Sequence, residues 1–439
     1  MSVLLEKILD DANLQTAMEK VISNGGSFGV DKVRTDELKD YFEEHQATIK
    51  EQIRNRAYKP LPVRRVEIPK PNGGVRKLGI PTVIDRTIQQ AIVQILSPIF
   101  EPTFSDFSYG FRPKRCCQQA IVKALEYFND GYIWVVDIDL EKFFDNVPQD
   151  KLMSYIHEVI NDGDVESLIR KYLQAGVMVN DRYEHTDVGT PQGGNLSPLL
   201  SNIMLTKLDK ELEARGLRFT RYADDCIIMV KSHAAANRVM HSITSYIERK
   251  LGLKVNATKT KITTPGNLRY LGFGFYKDKE GYKAMPHKDS RMKFQRKIKE
   301  LCARKWSVDL TYRLKKLNEV IRGWINYFRD GSMRSFLTTI SSNLRTKLRV
   351  IIWKQWKTPQ KREWGLKKFG IDKDRARQTA YMGDHYQFIC LKLCVRNAIS
   401  KEILIKRGLV DPLDYYLQQK DKVSSTERTA QCRTACWVV

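Results

Sequence analysis

The stretch Arg221-Tyr222-Ala223-Asp224-Asp225-Cys226 decides how this chain is interpreted. Aromatic, β-branched and aliphatic residues flank it, in Leu217-Arg218-Phe219-Thr220 before it and Ile227-Ile228-Met229-Val230 after it. Such residues favour strands, so the two Asp residues are predicted at a tight turn between two strands. Adjacent carboxylates beside apolar strands resist burial unless a cation neutralises them. The pattern suits half of a two-metal phosphoryl-transfer site, although an Asp-Asp dipeptide alone more often marks an ordinary turn.

The composition narrows the classes of protein. The 439 residues contain 75 Lys and Arg against 51 Asp and Glu, a net charge of +24, which indicates a polyanionic partner such as nucleic acid or a membrane surface. No apolar run approaches the length of a membrane-spanning helix, and the N-terminus lacks a signal-peptide pattern. The 8 cysteines include no Cys-x-x-Cys pair, so neither a zinc ribbon nor a secreted disulfide framework is indicated. These features predict a cytoplasmic protein without a membrane partner.

A basic hairpin is predicted upstream. Residues 63–71 and 75–81 read as two strands around the turn Asn72-Gly73-Gly74. Lys70 and Arg76 lie on either side of this turn, where both could face a triphosphate or a nucleic-acid backbone. A merely solvated, charged hairpin is an equally good interpretation of these residues alone.

Further candidate ligands follow in the middle of the chain. Residues 132–140 form an apolar predicted strand in which Asp137 and Asp139 point the same way. A carboxylate on so apolar a strand is costly unless it is paired or bound to a metal, which makes this strand a candidate source of a third ligand. Thr190-Pro191-Gln192-Gly193-Gly194 then precedes a predicted helix, and its glycines allow close approach of the backbone to a ligand.

The last third of the chain is strongly basic. Residues 287–375 contain 25 Lys and Arg against 8 Asp and Glu, an excess of 17 positive charges. Helical periodicity with interleaved Trp, Tyr and Phe predicts a separate helical domain whose aromatic residues form its core and whose basic faces contact phosphates. Residues 376–420 are predicted to be folded, and residues 421–439 are predicted to be a disordered tail.

Taken in order, these motifs resemble the palm of reverse transcriptases and, more narrowly, the group II intron-encoded reverse transcriptase–maturases. The resemblance covers roughly residues 20–380 and rests on the Tyr-Ala-Asp-Asp turn, on Thr190 to Gly194, and on two further segments. These are Phe111-Arg112-Pro113 and Gly323-Trp324-Ile325-Asn326-Tyr327-Phe328, of which the second is similar to the signature of the maturase thumb, or X domain.

The resemblance implies an α+β fold: a right-hand polymerase with fingers and palm, an RRM-like antiparallel sheet, and an α-helical thumb or X domain. The implied segments are an N-terminal extension with fingers (1–86), the palm with the remaining fingers (87–286), the thumb (287–380), a DNA-binding-like segment (381–420) and the tail (421–439).

The resemblance also implies a set of metal ligands and a sugar-contacting residue. Asp139, Asp224 and Asp225 match the family's metal-binding aspartates, with the carbonyl of Leu140 as a further ligand. Asp139 is preferred to Asp137 because the family's sugar-contacting aromatic residue follows its aspartate by five positions, which selects Phe144. Phe143 is the next candidate for that steric gate against a ribose 2′-hydroxyl.

The remaining implied site residues contact the nucleotide, the primer or the template. Lys259 is the candidate that protonates the leaving pyrophosphate, and Lys261 is a close rival. The others are the triphosphate-binding Lys70 and Arg76, the nucleotide-pocket residue Gln192, and the primer or template residues Arg112, Tyr222, Leu271, Gly272 and Phe273.

The implied function is that of an RNA-directed DNA polymerase encoded by a group II intron, with Mg2+ as cofactor and Mn2+ as a possible substitute. The protein would bind its intron RNA to assist splicing and copy it during retromobility. The implied partners are intron RNA, an RNA template with a DNA primer, dNTPs and target DNA, in the bacterial cytoplasm and associated with the nucleoid. Only His385 lies beyond residue 300 among the histidines, so no His-Asn-His endonuclease is expected, as in the group IIC-like subset.

Two alternatives remain at this stage. One is a retron, diversity-generating or CRISPR-linked reverse transcriptase, against which the segment Gly323 to Phe328 argues. The other is a splicing cofactor without polymerase activity. The three aspartates argue against that second alternative, since a non-catalytic RNA-binding protein has no use for converging carboxylates.

Overall fold

A computed structural model describes residues 2–69, 73–180, 182–190 and 193–425, with side chains as far as residue 421. The chain divides into two compact units, Met1–Thr264 and Pro265–Val439. Among the described residues, the first unit contains two four-stranded sheets together with ten α-helices, and the second unit is almost entirely helical. The five segments predicted from the sequence stay predictions, since the structure marks only this one division.

The described part of the first unit contains ten α-helices. They are α1 (Val3–Ile8), α2 (Asp11–Asn24), α3 (Leu38–Arg54), α4 (Val83–Phe100), α5 (Cys117–Asn129), α6 (Phe143–Asn146), α7 (Gln149–Ile160), α8 (Gly163–Leu173), α9 (Ser197–Ala214) and α10 (His233–Tyr246). A π-helical turn, Ile247–Leu251, extends α10. Side-chain oxygens cap the free amides at the start of several helices, as Asp10, Thr82, Asp162 and Ser232 do.

The start of α4 fastens two stretches of chain that precede it. The carboxylate of Asp85, which is buried, accepts hydrogen bonds from the Tyr58 hydroxyl (2.7 Å) and the Leu61 amide (3.3 Å). The next residue, Arg86, donates to the carbonyl oxygens of Gly25 (3.3 Å) and Ser27 (2.8 Å). These bonds hold the glycine-rich loop after α2 against the body of the unit.

The first sheet contains the predicted basic hairpin. Its strands are β1 (Val63–Pro69), β2 (Val75–Ile80), β4 (Val177–Val179) and β5 (Arg182–Glu184), in the order β2-β1-β4-β5. β1 and β2 are antiparallel, and Ile68 lies opposite Arg76. Lys70 and Asn72 of the predicted turn lie outside the described residues.

The second sheet carries the Tyr-Ala-Asp-Asp turn. Its strands are β3 (Trp134–Ile138), β6 (Arg218–Tyr222), β7 (Asp225–Val230) and β8 (Lys261–Thr263), in the order β6-β7-β3-β8 with every neighbouring pair antiparallel. If the four strands of this sheet are renumbered 1 to 4 along the chain, their spatial order is 2-3-1-4. Helices precede strand 2 (β6, after α9) and strand 4 (β8, after α10). This arrangement confirms the RRM-like antiparallel sheet.

The two faces of this second sheet have different roles, because successive side chains of a strand point to opposite faces. One face contributes Val136, Ile138, Phe219 and Ile228 to a large core shared with the helices. By strand register, the opposite face carries Asp137, Tyr222 and Asp225, and Asp139 follows β3 two residues after Asp137. The acidic residues therefore lie on the side of the sheet away from that core.

The second unit begins with a two-stranded antiparallel sheet of β9 (Phe273–Asp278) and β10 (Gly281–Pro286). Up to residue 425, where the description of the chain ends, nine helices follow: α11 (Lys288–Leu301), α12 (Leu310–Phe328), α13 (Arg334–Gln355), α14 (Pro359–Lys368), α15 (Lys373–Ala380), α16 (Tyr386–Leu391), α17 (Leu393–Ala398), α18 (Lys401–Lys406) and α19 (Pro412–Ser425). Most of the interleaved aromatic residues are packed inside, as shown by the stacked rings of Phe294 and Trp324, 4.3 Å apart, and the fully buried Trp353. Trp364 and Tyr312 lie instead on the surface, at 61% and 48% exposed.

α19 corrects one expectation about the tail. The helix continues to Ser425, so the first residues of segment 421–439 are helical, and the rest lie outside the described residues. α19 is held at its start by Asp411, whose buried carboxylate accepts from the Ser341 hydroxyl (3.0 Å) and pairs with Arg345 (2.7 Å). Among all the described helices, none is long and apolar enough to cross a membrane.

Candidate active site

The Tyr-Ala-Asp-Asp turn is a two-residue loop between β6 and β7. Tyr222 and Asp225 form the last pair of the ladder, so Ala223 and Asp224 occupy the loop. Ala223 has a φ of 58°, a left-handed conformation that a residue with a Cβ atom seldom adopts. The loop needs support from its surroundings because this conformation is intrinsically unfavourable.

Part of that support comes from the segment that ends in Gly110. A Cβ atom on Gly110 would collide with the backbone amide of Ala223, so only glycine allows the two chains to approach this closely. The backbone of Arg221 also exchanges hydrogen bonds with this segment, from the Arg221 amide to Phe107 O and from the Tyr109 amide to Arg221 O, both 2.9 Å.

Asp139 is held at the end of β3 by the segment that follows the π-helical turn. The Asn256 amide donates to Asp139 O (2.8 Å), and the Asp139 amide donates to the Thr260 hydroxyl (3.2 Å). The Glu141 amide donates to Lys254 O (2.8 Å). Leu140 and Val255 therefore lie opposite each other as an antiparallel bridge, between this bond and the one from Asn256 to Asp139. In such a bridge the amide and carbonyl of Leu140 point away from Val255, which leaves the Leu140 carbonyl directed to the other side.

Lysine 259 lies at the Asp139 carboxylate. Its Nζ is 3.4 Å from the nearer oxygen of Asp139, and its side chain is 65% exposed. Lys261 is placed differently, opposite Asp137 in the pairing of β3 with β8. The structure therefore brings Lys259, rather than Lys261, to the predicted metal ligand.

The carboxylates influence one another electrostatically. Burial is the main cause that raises the pKa of Asp224; its own amide lowers this pKa, the charge of Asp139 raises it, and Arg76 and Arg221 lower it. The pKa of Asp137 is raised to about 6, mainly by burial, while Lys261 lowers it and Asp139 raises it. The negative charge of Asp139 thus disfavours the ionised form of the Asp224 carboxyl, and a cation would relieve that repulsion.

The donor set fits a hard divalent cation. Asp139, Asp224 and Asp225 offer carboxylate oxygens and Leu140 offers a carbonyl oxygen, which are the ligand types that Mg2+ takes. In the part of the chain that the structure describes, no three acidic, histidine or cysteine side chains form a ready-made metal cage. Mg2+ usually binds one or two carboxylates and completes its coordination with water and phosphate.

The two candidate gate residues separate clearly. The Phe143 ring is buried in the core and meets the Phe144 ring edge to face, 5.2 Å apart. Phe144 is only partly buried, and its carbonyl oxygen accepts a hydrogen bond from the Thr190 amide (2.6 Å). The structure therefore leaves Phe144, and not Phe143, accessible to a sugar.

Gln192 and Lys70 lie outside the described residues, so the positions of their side chains stay predictions. Their neighbours are firmly placed. Gly193 approaches the carbonyl of Gly79 in β2 so closely that a Cβ atom would clash with it. Gln89 of α4 accepts from the Leu196 amide (3.4 Å). Arg76 is exposed on β2, within electrostatic reach of Asp224.

Arg112 has a different environment from the one expected of a primer or template contact. Its guanidinium, 3% exposed, pairs with Glu101 at 2.8 Å and donates to the carbonyl oxygens of Ser105 and Ser108. These bonds make it a fastening of the loop before Gly110. Tyr222, which precedes the turn, is partly exposed on the acidic face of the sheet.

The residues of the predicted primer grip, Leu271, Gly272 and Phe273, belong to the second unit, and the first two form a turn before β9. Leu271 and Gly272 have φ values of 48° and 78°, and β9 begins only at Phe273. The Leu271 carbonyl accepts from the Tyr327 hydroxyl (3.0 Å), and Gly272 O accepts from the Ser290 hydroxyl (2.9 Å) and the His287 amide (3.0 Å). The maturase-like signature segment thus holds this turn.

The sequence-based interpretation missed the buried partners behind the carboxylates. Arg221 is fully buried and ion-paired with Asp209 of α9, while Cys226, next to Asp225, is also buried, which raises the pKa of its thiol well above the usual value. Arg221 lies two residues after Phe219 and so shares the face of this apolar residue. This was the available signal, because a charge on such a face requires a buried counter-ion.

Comparison with known proteins identifies the family. A model of the reverse transcriptase (RNA-dependent DNA polymerase) family matches residues 68–275, and a model of the group II intron maturase-specific domain matches residues 291–370. The protein YkfC of Escherichia coli K12 is 32% identical over 299 residues, which cover 59% of this chain and 78% of that protein. The chain belongs to the reverse transcriptases that carry a group II intron maturase-specific domain.

Two more distant matches complete the comparison. The group II intron-encoded protein LtrA of Lactococcus lactis subsp. cremoris is 37% identical over 230 residues, which cover 52% of this chain and 38% of LtrA. The chain thus spans well under half the length of that relative. A chain of a partial Cas6-RT-Cas1–Cas2 complex superposes with a TM-score of 0.36 at 22% identity, over 57% of this chain and 43% of that one.

Proposed function

We propose that this protein is an RNA-directed DNA polymerase that also binds a group II intron RNA and assists its splicing. The observation that carries the polymerase half is the convergence of Asp139, Asp224 and Lys259 beside the Tyr-Ala-Asp-Asp turn. The maturase half is supported by the match of residues 291–370 to the maturase-specific domain and by the basic surface of that region.

Asp139, Asp224, Asp225 and the Leu140 carbonyl would hold Mg2+, with Mn2+ as a possible substitute. When bound, a pair of such cations would activate the primer 3′-hydroxyl and stabilise the leaving pyrophosphate. The protein itself orients the reactants: Arg76 presents a guanidinium to the triphosphate, and Phe144 occupies the place where a ribose 2′-hydroxyl would project.

Lys259 is the proposed proton donor to the leaving pyrophosphate. Its side chain is exposed and reaches the Asp139 carboxylate from the outside, so it can turn toward a phosphate once a cation takes over the neutralisation of Asp139. Lys261 lies opposite Asp137 instead, where its positive charge partly offsets the rise in the pKa of Asp137 that burial causes.

Primer extension on an RNA template with dNTPs and Mg2+ tests the polymerase half. The parent protein is expected to extend the primer, and Asp224→Asn, which keeps the size of the side chain but removes its charge, is expected to abolish extension while binding RNA normally. An inactive parent protein, or extension by Asp224→Asn near the parent rate, would contradict the polymerase assignment.

Binding and splicing of a group II intron RNA test the maturase half separately. A reverse transcriptase of the retron, diversity-generating or CRISPR-linked type would extend primers without accelerating splicing. A splicing cofactor without polymerase activity would do the reverse. The proposal further includes target DNA as a partner and the bacterial cytoplasm, in association with the nucleoid, as the site of action.

A further inference from the structure

Arg221 lies directly behind the catalytic turn with its charge completely enclosed. The side chains of Arg221 and Asp209 are both 0% exposed. Arg221 Nε donates to Asp209 Oδ1 (2.7 Å) and Nη2 donates to Asp209 Oδ2 (2.5 Å), a two-pronged pairing. A buried charge is tolerated only with such complete pairing, because a single unpaired ion in the interior is strongly destabilising.

The remaining nitrogen of this guanidinium reaches the turn itself. Arg221 Nη1 donates to the carbonyl oxygen of Ala223 (2.8 Å) and to Asn202 Oδ1 (3.1 Å). The Ala223 carbonyl belongs to the peptide that links Ala223 to Asp224, so this bond fixes the plane of that peptide. The orientation of the plane in turn sets the direction in which the Asp224 side chain leaves the backbone.

The geometry of the sheet explains why this side chain can act from behind. Arg221 lies opposite Cys226 in the ladder, and its side chain points to the helix-covered face, whereas Tyr222 and Asp225 point to the acidic face. Asn202 and Asp209 are seven residues apart on α9, about two helical turns, and therefore share the side of α9 that faces Arg221.

Asn202 connects Arg221 to the segment that ends in Gly110, which also supports the Tyr-Ala-Asp-Asp turn. Its Nδ2 donates to the carbonyl oxygen of Gly110 (2.9 Å), the glycine whose lack of a Cβ atom allows Ala223 to approach. The Asn202 side chain thus binds both the Arg221 guanidinium and the segment that ends in Gly110, against which the loop packs.

We infer that Arg221 is a positioning residue for the catalytic carboxylates, and that Asp209 and Asn202 orient it for this task. Arg221 touches neither substrate nor cation; it acts through the Ala223 carbonyl, which keeps the left-handed turn in the one conformation that presents Asp224 to the cation. The inference rests on the proposed polymerase function and adds to it the device that holds the site in shape before any ligand arrives.

A double substitution separates positioning from mere stability. Arg221→Met combined with Asp209→Leu replaces the buried pair by apolar side chains of similar volume, a change that proteins often tolerate without loss of stability. We expect the double variant to fold and to bind RNA, with a kcat for primer extension about 100-fold lower, as for a catalytic group displaced by about 1 Å, and with an unchanged KM for dNTP.

Two measurements are independent of catalysis. Hydrogen–deuterium exchange of the amides of residues 222–226 is expected to be faster in the double variant, and Mn2+ binding to the free protein, followed by electron paramagnetic resonance, is expected to be weaker. If the parent protein does not extend primers, the proposed function fails, whereas these two measurements still decide whether Arg221 positions the carboxylates.

Arg313→Met is the matched control. Arg313 is another buried arginine, and it donates to the backbone carbonyls of Leu301 and Trp306 within the second unit. A folded double variant with the parent kcat, Mn2+ affinity and exchange rates would overturn the inference, as would an identical loss of kcat in Arg313→Met. Should the double variant fail to fold, Arg221→Lys takes its place, because lysine keeps the charge but lacks the planar guanidinium. Its kcat, Mn2+ affinity and exchange rates are then compared with those of the parent in the same way.

Discussion

Phe143 and Phe144 are adjacent in sequence, yet their rings lie in different environments. Phe143 fills the core, and Phe144 lies partly exposed beside Thr190, whose amide binds its carbonyl oxygen. Selection against a ribose must then depend on the single ring that a sugar can reach. The same separation gives an experiment on Phe144 an internal control.

Phe144→Val is expected to admit ribonucleotides. The smaller side chain leaves room for the 2′-hydroxyl, and relief of one steric contact in an apolar pocket changes discrimination by roughly 10- to 200-fold. The measurement is the ratio of kcat/KM for rNTP and dNTP on one template. Phe143→Leu should lower stability and leave this ratio unchanged; an unchanged ratio in Phe144→Val would move the gate elsewhere.

Asp137 makes stability depend on pH in an unusual direction. Its pKa is raised to about 6 from the ordinary value of 3.8, so the native state keeps this proton at a pH where the unfolded chain has lost it. Its contribution therefore favours the native state at about pH 4 and is lost as the pH rises toward 6. Asp137→Asn cannot ionise and should remove this decline.

Thermal melting of the metal-free protein between pH 4 and pH 7 checks this prediction. The difference in Tm between Asp137→Asn and the parent should increase with pH over that range. Asp278 serves as a control of opposite sign, because its ion pair with Lys283 lowers its pKa. A Tm difference that does not vary with pH would show that Asp137 titrates normally.

At the scale of elements, the signature segment of the maturase-like region has a structural partner. Tyr327 and Phe328, at the end of α12, pack against Phe273, and the Tyr327 hydroxyl binds the carbonyl of Leu271. Because Leu271 and Gly272 are both left-handed, the turn depends on such outside bonds. The helix therefore serves the predicted primer grip.

Tyr327→Phe is expected to weaken the binding of a primer–template about 2- to 10-fold, since the loss of one neutral hydrogen bond is worth about 0.5–1.5 kcal/mol. The ring contact with Phe273 is retained, so folding should be little affected. Titration of a fluorescent primer–template gives the Kd. Tyr312→Phe, on the same helix and 48% exposed, is the control; equal Kd values for both variants would refute the assignment.

Local sequence patterns predicted the strands and turns whose residue types directly indicate their secondary structure. The alternation of apolar residues and the turn residues located both hairpins. The apolar strand predicted at residues 132–140 is present at Trp134–Ile138, so that Asp139 follows the strand instead of lying within it. The spacing taken from the resemblance selected Asp139, and the structure places Lys259 beside it. The strands and turns depend on neighbours in sequence, which a single sequence contains, whereas Lys259 and Asp139 are 120 residues apart.

Features that depend on distant contacts could not be predicted in the same way. Leu271 was predicted as a primer or template residue, but its own segment does not reveal the left-handed turn that Tyr327, 56 residues later, stabilises there. Arg112 looked like a ligand-binding residue because nothing nearby reveals that Glu101 and two carbonyl oxygens enclose it. The position of Arg221 indicates a buried counter-ion but does not identify Asp209 as that partner, because α9 precedes β6 and shares no local pattern with it.

At the scale of the whole molecule, the positive charge is concentrated in one part of the chain. Residues 287–375 hold an excess of 17 of the chain's 24 net positive charges. On α11 the apolar Phe294 and Ile298 are buried, while Lys293, Arg296 and Lys297 are exposed on the other side. Such a face suits the phosphate backbone of an RNA.

Reversing Lys293, Arg296 and Lys297 to Glu is expected to weaken intron RNA binding and to reduce its dependence on salt. Each lost phosphate contact removes roughly 0.7 to 0.9 from the slope of log K against log salt concentration. Splicing should suffer more than extension of a saturating primer–template. Reversal of the exposed Lys210, Arg215 and Lys250 controls for net charge, and equal slopes for both triple variants would show that the α11 face is only solvated.

The enclosure of Cys226 has a practical consequence for labelling this molecule. Alkylating reagents and maleimides react with thiolates, and a buried thiol with a strongly raised pKa supplies almost none at neutral pH. Cys117, Cys302 and Cys390 are buried as well, whereas Cys394 is partly exposed. Among the described free cysteines, a fluorophore would therefore attach first at Cys394 and leave the side chain beside Asp225 unmodified, so that a labelled protein can be used to follow catalysis.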